Sequence, residues 1–308
     1  MQLFLSTLSQ MAYLFTLILV GYVLMKRRAV PDNAVSVLSK VESNFLIPAM
    51  ILDTFLEKFN TKTLSETWGL FFCSFAVLAV LIPFCLFVCR RVTKDRYLQN
   101  IYTFGLAFAN YAFMGYAVVK TLFPELFFEY VIFTLPIWIA VYLWGTPCLL
   151  IGKEKDGKKG SFWKNLCNPM VVCMLLGILL GLVQLPVPQW LRSVLSHSGA
   201  CMSPLAMVLT GMILPGVSLK KTFASKEVYL LSLIKLILMP LAFVAVGKLF
   251  SFERSFFICA LCTIAMPLGV TSIVIPASYD KDTSQAAGLV LVTHLFSCIT
   301  LPFIFSLI

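Results

Sequence analysis

The chain has 308 residues, of which 60% are hydrophobic and 12% charged, with a formal net charge of +10 and a mean hydropathy of +0.93. Soluble domains carry about 25% charged residues, and one core of this size could not hide so much apolar surface from water. A water-soluble globular protein is therefore excluded, and the lipid bilayer is the main solvent. The basic excess is spread over short loops without interleaved aromatics, which argues against a nucleic-acid partner.

Charges, prolines and polar turns mark off ten apolar stretches, near 3–25, 35–56, 67–89, 98–122, 126–151, 167–185, 196–217, 227–249, 255–279 and 284–306. Each is long enough for a hydrocarbon core. Interiors rich in Leu, Phe and Val, with no turn signals at strand spacing, favour helices over a barrel. The first stretch has no basic leader and no small-x-small cleavage site before Lys26, so it is expected as a span and not as a removed signal peptide. The loops that follow spans 1, 3, 5, 7 and 9, with their flanks, hold 17 of the 24 Lys and Arg residues. The positive-inside rule puts those loops in the cytoplasm and both termini on the extracytoplasmic side of a multi-pass protein of the cell membrane.

Along the chain, span 2 carries Lys40, Glu42 and Asn44 near its start and Asp53 further on. Glu42 beside Lys40 reads as an interfacial pair. Asp53, with no evident partner, is a candidate proton carrier. Span 4, IYTFGLAFANYAFMGYAVVKTLF, is interrupted at Asn110, with Gly115 just beyond. A side-chain amide is costly in lipid unless partnered, and glycine permits a helix end or another backbone's close approach. A hydrophilic segment over 152–165 then divides the spans five and five, between halves 1–151 and 166–308.

In the second half, Lys235 lies two to three turns into span 8. It reads either as charge compensation for a substrate or a carboxylate, or as a side chain snorkelling to the headgroups. Span 9, CALCTIAMPLGVTSIVIPASY, breaks at Pro267, and Gly269, Thr271 and Ser272 follow in a polar patch. Proline removes an amide donor and frees a carbonyl one turn earlier. His294 in span 10 is either a proton-coupling group or a hydrogen bond between helices. The ten cysteines fall within or beside spans. Cys259-x-x-Cys262 has no nearby histidine, so packing explains these thiols better than zinc or redox chemistry, and neither a metal nor a cofactor is expected.

Asn110 and Pro267 stand 157 residues apart, as do Pro83 and Pro240; Pro48 and Pro204, and Gly21 and Gly177, stand 156 apart. These offsets suggest a duplication, and halves of five spans each must be inverted. Interrupted spans at matching places in two inverted halves are the sequence pointer to a secondary transporter's binding site. A break also exposes the N-terminal amides of a half-helix, which suit an anion. No nucleotide-binding, zinc-protease or nucleophile-elbow motif occurs, so an enzyme is not expected.

Several stretches together give the chain a family resemblance. They are F-A-N-Y-A-F-M-G-Y in span 4, N-P-M-V-V-C-M-L-L-G-I-L-L-G in span 6, P-L-A-M-V-L-T-G-M in span 7, and A-M-P-L-G-V with A-S-Y-D-K-D-T in spans 9 and 10. The chain resembles the auxin efflux carrier family, within the bile acid/sodium symporter-like group, over essentially its whole length. Ala117 stands where the family often has proline, and the central loop is short, as in a short prokaryotic-type member.

The resemblance implies an all-α membrane protein of ten transmembrane helices in an inverted five-plus-five repeat, with spans 4 and 9 broken and crossing. Spans 1, 2, 6 and 7 would form a scaffold and the others a transport domain. It also implies secondary transport of a small organic anion, with Asn110 and Pro267 at the crossover and Gly115, Gly269, Thr271 and Ser272 beside it. Thr210 would look from the scaffold toward that point. Asn44 and Thr210 read either as pocket residues or as helix–helix hydrogen bonds. The expected partners are the anion, a proton or sodium ion as the coupling species, the bilayer, and a second copy through the scaffold. A membrane sensor or a channel is the alternative.

Overall fold

A computed structural model of the chain describes residues 2–58, 61–151, 169–183, 186–216, 225–277 and 281–308. Among them the structure is all-helical, without strands. Helix α1 covers Gln2–Lys26. The next long helix consists of α2 (Ala34–Val41), a π turn at Glu42–Leu46 and α3 (Ile47–Lys58). Then come α4 (Thr61–Val92), α5 (Arg96–Ala107), α6 (Phe113–Leu122) and α7 (Phe127–Ala140), the last continued by a π-helical stretch, Val141–Ile151. The second half holds α8 (Pro169–Val183), α9 (Gln189–Ile213), and α10 (Lys226–Leu233) joined to α11 (Met239–Leu249) by a π turn at Ile234–Leu238. It ends with α12 (Arg254–Ala265), α13 (Thr271–Ala277) and α14 (Ser284–Phe305).

Seven helices among the described residues are long and apolar enough to cross a bilayer: Phe4–Lys26, Ala34–Glu57, Thr67–Val92, Pro124–Leu150, Gln189–Gly216, Lys226–Leu249 and Ser284–Phe305. Two of the other expected spans are interrupted. The stretch expected as span 4 is divided into α5 and α6, of 12 and 10 residues, and that expected as span 9 into α12 and α13, of 12 and 7. Helix α8 is described over Pro169–Val183, and 152–168 and 184–185 on either side of it lie outside the described residues. Helix α9 starts at Gln189, well before the expected 196, because Pro188 immediately precedes its first turn. The hydrophilic segment 152–165 lies outside the described residues.

Each π segment precedes or contains a proline: Pro48, Pro147 and Pro240. Proline cannot donate to the carbonyl four residues back, and its ring crowds that oxygen. Widening the turn relieves both problems. Ile47 N–H donates to the Glu42 carbonyl and Met239 N–H to the Ile234 carbonyl, each five residues back.

Glycines bring one group of helices into backbone contact. A Cβ on Gly21 of α1 would overlap the Val208 carbonyl of α9, and one on Gly211 of α9 would overlap the Ile18 carbonyl of α1. Gly199 of α9 lies against the Met50 backbone of α3, and Gly177 of α8 against the Phe55 side chain of α3. Helices α1, α3, α8 and α9 are thus held together by small-residue contacts, the usual means of helix association where lipid removes the hydrophobic drive. The main core lies largely outside this group, around Tyr102, Phe104, Phe108, Tyr130 and Phe133. Large apolar side chains such as Phe72, Val80, Leu179 and Ile299 face outward.

Gly211→Val should open the α1–α9 crossing at an overpacking cost of about 1–3 kcal/mol, lowering the thermal unfolding midpoint of the detergent-solubilised protein. Gly69→Ala, at a position where a Cβ meets nothing within 4 Å, serves as control. Equal midpoints for Gly211→Val and the unaltered chain would refute the close crossing.

Candidate functional site

Asp95 starts α5 by accepting the Tyr97 and Leu98 amides on its carboxylate. The helix ends at Ala107, and the chain stays irregular until α6 begins at Phe113; α12 and α13 are separated in the same way over 266–270. The two irregular stretches run antiparallel and pair. Ala109 faces Leu268, and Asn110 N–H donates to the Pro267 carbonyl at 2.7 Å. Gly105 makes the approach possible, since a Cβ there would overlap the Leu268 side chain. Leu268 N–H donates to Thr293 Oγ1 at 3.3 Å, and that hydroxyl donates to the Leu289 carbonyl at 2.8 Å.

Asn110 is 2% exposed and hydrogen-bonded through its backbone and its side chain. Its Oδ1 accepts from Met114 N–H at 3.3 Å and its carbonyl from Gly115 N–H at 3.0 Å. The residue thereby satisfies two of the amides that the start of α6 leaves without helical partners. With Oδ1 held there, Nδ2 faces His294 Nε2 at 3.2 Å. His294 Nδ1 lies 2.9 Å from the Val290 carbonyl. A carbonyl only accepts, so Nδ1 carries the proton and Nε2 accepts from Asn110.

Helix α7 supports this arrangement. Tyr130 Oη donates to the Tyr111 carbonyl at 2.9 Å, occupying space that a side chain at Gly115 would fill. Trp138 Nε1 donates to Tyr116 Oη at 3.3 Å, which donates to Thr134 Oγ1 at 2.8 Å, which donates to the Val131 carbonyl at 2.9 Å. Behind α5, the buried Lys235 Nζ donates to the Leu106 carbonyl at 3.0 Å. That carbonyl belongs to the end of an interrupted helix, where partial negative charge collects and a cation is favourable. The ammonium group therefore faces a helix end, not the headgroups.

A cavity of about 160 Å³ lies between α1, α9 and α14. Thr210 and His294 both line it, among Phe15, Ile18, Leu19, Tyr22, Leu214, Leu291 and Leu295. Thr210 Oγ1 donates to the Ala206 carbonyl at 2.9 Å. The structure thus brings Asn110, Pro267 and His294 together and sets Thr210 across the cavity from His294. Gly269 packs beside the Ala109 carbonyl, Ser272 Oγ donates to the Gly269 carbonyl at 2.7 Å, and the half-buried Thr271 opens α13.

Asn44 and Asp53 lie elsewhere. Asn44 is exposed and its Nδ2 donates to the Lys40 carbonyl at 2.8 Å. Asp53 lines a separate cavity of about 280 Å³ with Glu57, Arg192, Ser193, Ser196 and His197. Sequence reasoning missed Thr293, Tyr130 and Leu268, whose partners are distant in the chain; Gly105 was the one local signal of a close approach. It also placed Glu42 at the interface beside Lys40, whereas that side chain is buried. Among the described residues no group of three His, Cys, Asp or Glu side chains is placed to hold a metal ion.

An all-helical chain with lipid-length helices around a buried polar crossing is a multi-pass membrane protein that keeps polar groups inside an apolar body. Residues 6–305 match the family model described as membrane transport protein. The chain belongs to this family, that of the auxin efflux carriers, and is a membrane transporter. A comparison with curated proteins gives no match.

Lys235→Met keeps the volume of the side chain but leaves the Leu106 carbonyl without its donor, at a cost of about 1–3 kcal/mol. The thermal midpoint of the purified protein should fall accordingly. Lys235→Arg, which keeps a donor, should lose less. A midpoint unchanged by Lys235→Met would show that the helix end is satisfied by other means.

Proposed function

We propose that the chain is a secondary active carrier that moves a small organic anion, such as a carboxylate, by alternating access, with the substrate held at the crossing of 108–112 and 266–270. The observation that carries the reading is the direct backbone bond between Asn110 and Pro267, beside a cavity walled on one side by α1 and α9 and on the other by α14. Broken helices that meet inside a bilayer are the usual construction of such a site. In this reading the chain spans the cell membrane ten times as an inverted repeat, α5–α6 and α12–α13 each forming one broken span. Both termini lie outside, as the basic loops indicate.

Two features favour a rocking or sliding mechanism over a channel. Helices α1, α3, α8 and α9 approach closely through glycines, so they suit a fixed scaffold and, in a homodimer, the subunit contact. The face between this group and α14 holds a cavity instead, so it suits the surface that slips.

Chemistry narrows the substrate. The cavity has no carboxylate in its lining and is mostly apolar, which suits a single negative charge on an apolar body. At about 160 Å³ it is smaller than the ~300–1,000 Å³ of drug-sized ligand sites, so the substrate is small. Asn110 Nδ2 is the donor best placed to meet the anion. Its nitrogen carries two hydrogens, of which one faces His294 Nε2 and the second is left for the substrate.

Asn110→Ala should leave a folded, membrane-inserted protein and remove a hydrogen bond to a charged group worth about 1.5–3 kcal/mol, lowering apparent affinity about 10- to 100-fold. Counterflow of radiolabelled acetate, lactate, benzoate and succinate in proteoliposomes would measure it. Undiminished counterflow in the variant would contradict the assignment. Single-channel currents in place of saturable exchange would establish the channel reading.

A further inference from the structure

Glu42 takes no part in the crossing. It opens the π turn between α2 and α3 and is 2% exposed, yet its Oε1 has no hydrogen-bond partner. The turn packs against α8 and α9, and on α9 the hydroxyl of Ser203 is likewise buried without a partner. The ionisable groups on these elements are Lys40, Asp53, Glu57 and, at its far end, Lys58 on its own helix, Cys173 on α8, and Arg192, His197 and Cys201 on α9. Lys40 is exposed. Asp53, Glu57, Arg192 and His197 meet around the separate cavity further along α3, and the thiols carry no positive charge. Among the described residues, none of these is paired with Glu42.

Lys235 supplies the comparison. It too is buried on a π turn ahead of a proline, but its ammonium has a carbonyl partner. A charged group taken out of water needs pairing and hydrogen bonds to repay its lost hydration. Lys235 has such a partner, whereas Glu42 Oε1 has none, so Glu42 sits here as the neutral acid. A buried polar atom left bare in a native fold calls for an explanation, and packing alone would be better served by a leucine.

We infer that Glu42 is a proton-binding site that couples the carrier to a pH gradient. In this conformation it holds a proton as a carboxylic acid. When the turn opens to water, the O–H bond breaks, the proton passes to a water molecule and the carboxylate remains. Reprotonation from the opposite face completes the cycle. The π turn provides the means of exposure: removing or adding one residue of a turn rotates the flanking helix by about 100°, and π turns are frequent at functional sites. The coupling role rests on the carrier reading, whereas the protonated carboxyl does not.

Two measurements on Glu42→Gln, which keeps the shape of the side chain without an acid, test this separately. In the infrared spectrum of the purified protein at neutral pH, the unaltered chain should show a protonated-carboxyl C=O band that Glu42→Gln lacks. Identical bands would overturn the proposal, whatever the outcome of any transport assay. In proteoliposomes, accumulation of a counterflow-positive acid driven by a pH gradient should fall at least tenfold in Glu42→Gln, while counterflow, which needs no net proton movement, persists. Retained pH-driven accumulation, or a loss confined to a sodium gradient, would overturn the coupling. Should Glu42→Gln not fold, Glu42→Asp, which retains an acid, should keep both the band and pH-driven accumulation, and loss of either would count against it. If none of the four acids exchanges in the unaltered chain, the carrier reading falls and the infrared band alone decides the proton site.

Discussion

Backbone groups released inside an apolar medium must find partners, and everything around the site follows from that demand. Interrupting a helix strands amides at the start of one piece and carbonyls at the end of the other, and lipid offers neither donor nor acceptor. Here the two interruptions answer each other. Asn110 N–H meets the Pro267 carbonyl, Asn110 itself serves the first amides of α6, Lys235 serves the Leu106 carbonyl and Thr293 serves the Leu268 amide. Each bond ties a different helix to the crossing, so the polar requirement of ten residues organises α5, α6, α10, α11, α12 and α14 at once.

Elsewhere proline and glycine set the geometry by opposite routes. Proline widens the turn that precedes it and so places Glu42 and Lys235 where a regular α-helix would not. Glycine removes the side chains that would hold α1 from α9 and α3 from α8 and α9. The first device re-aims a single side chain locally. The second fixes whole helices against one another. The helices brought together by glycine and the helix α14 beside the crossing share a cavity, lined by α1, α9 and α14.

Much of this was legible in the sequence, and the division follows the physics. Helical content and the two points of interruption could be read because Pro267, Asn110 and their glycines act locally. The identity of partners could not. Nothing near Lys235 names Leu106 as its acceptor, nothing near Thr293 names the Leu268 amide, and Tyr130 reaches Tyr111 only because α6 and α7 pack closely. Glu42 was misplaced for a related reason. Nearness in the chain suggests an interfacial pair with Lys40, but the stretch ahead of Pro48 forms a π turn in which the Glu42 carboxyl is buried.

The residues that stand 157 apart in the sequence, Asn110 and Pro267, are bonded to each other, and the bond is one-sided because of their chemistry. An antiparallel pair of ordinary residues can exchange two hydrogen bonds across such a contact. Proline has no N–H to return, so the Asn110 carbonyl stays free to accept from Gly115 N–H and helps to start α6. The next amide, that of Leu268, turns away to Thr293 and anchors the second stretch to α14. His294, one residue on, then reaches the Asn110 side chain from the same helix. The two stretches are thus unequal: one carries a side-chain amide facing an acceptor, and the other contributes a proline carbonyl that accepts without returning a bond. Of this pair it is His294 that lines the cavity between α1, α9 and α14, with the Asn110 amide bonded to its Nε2.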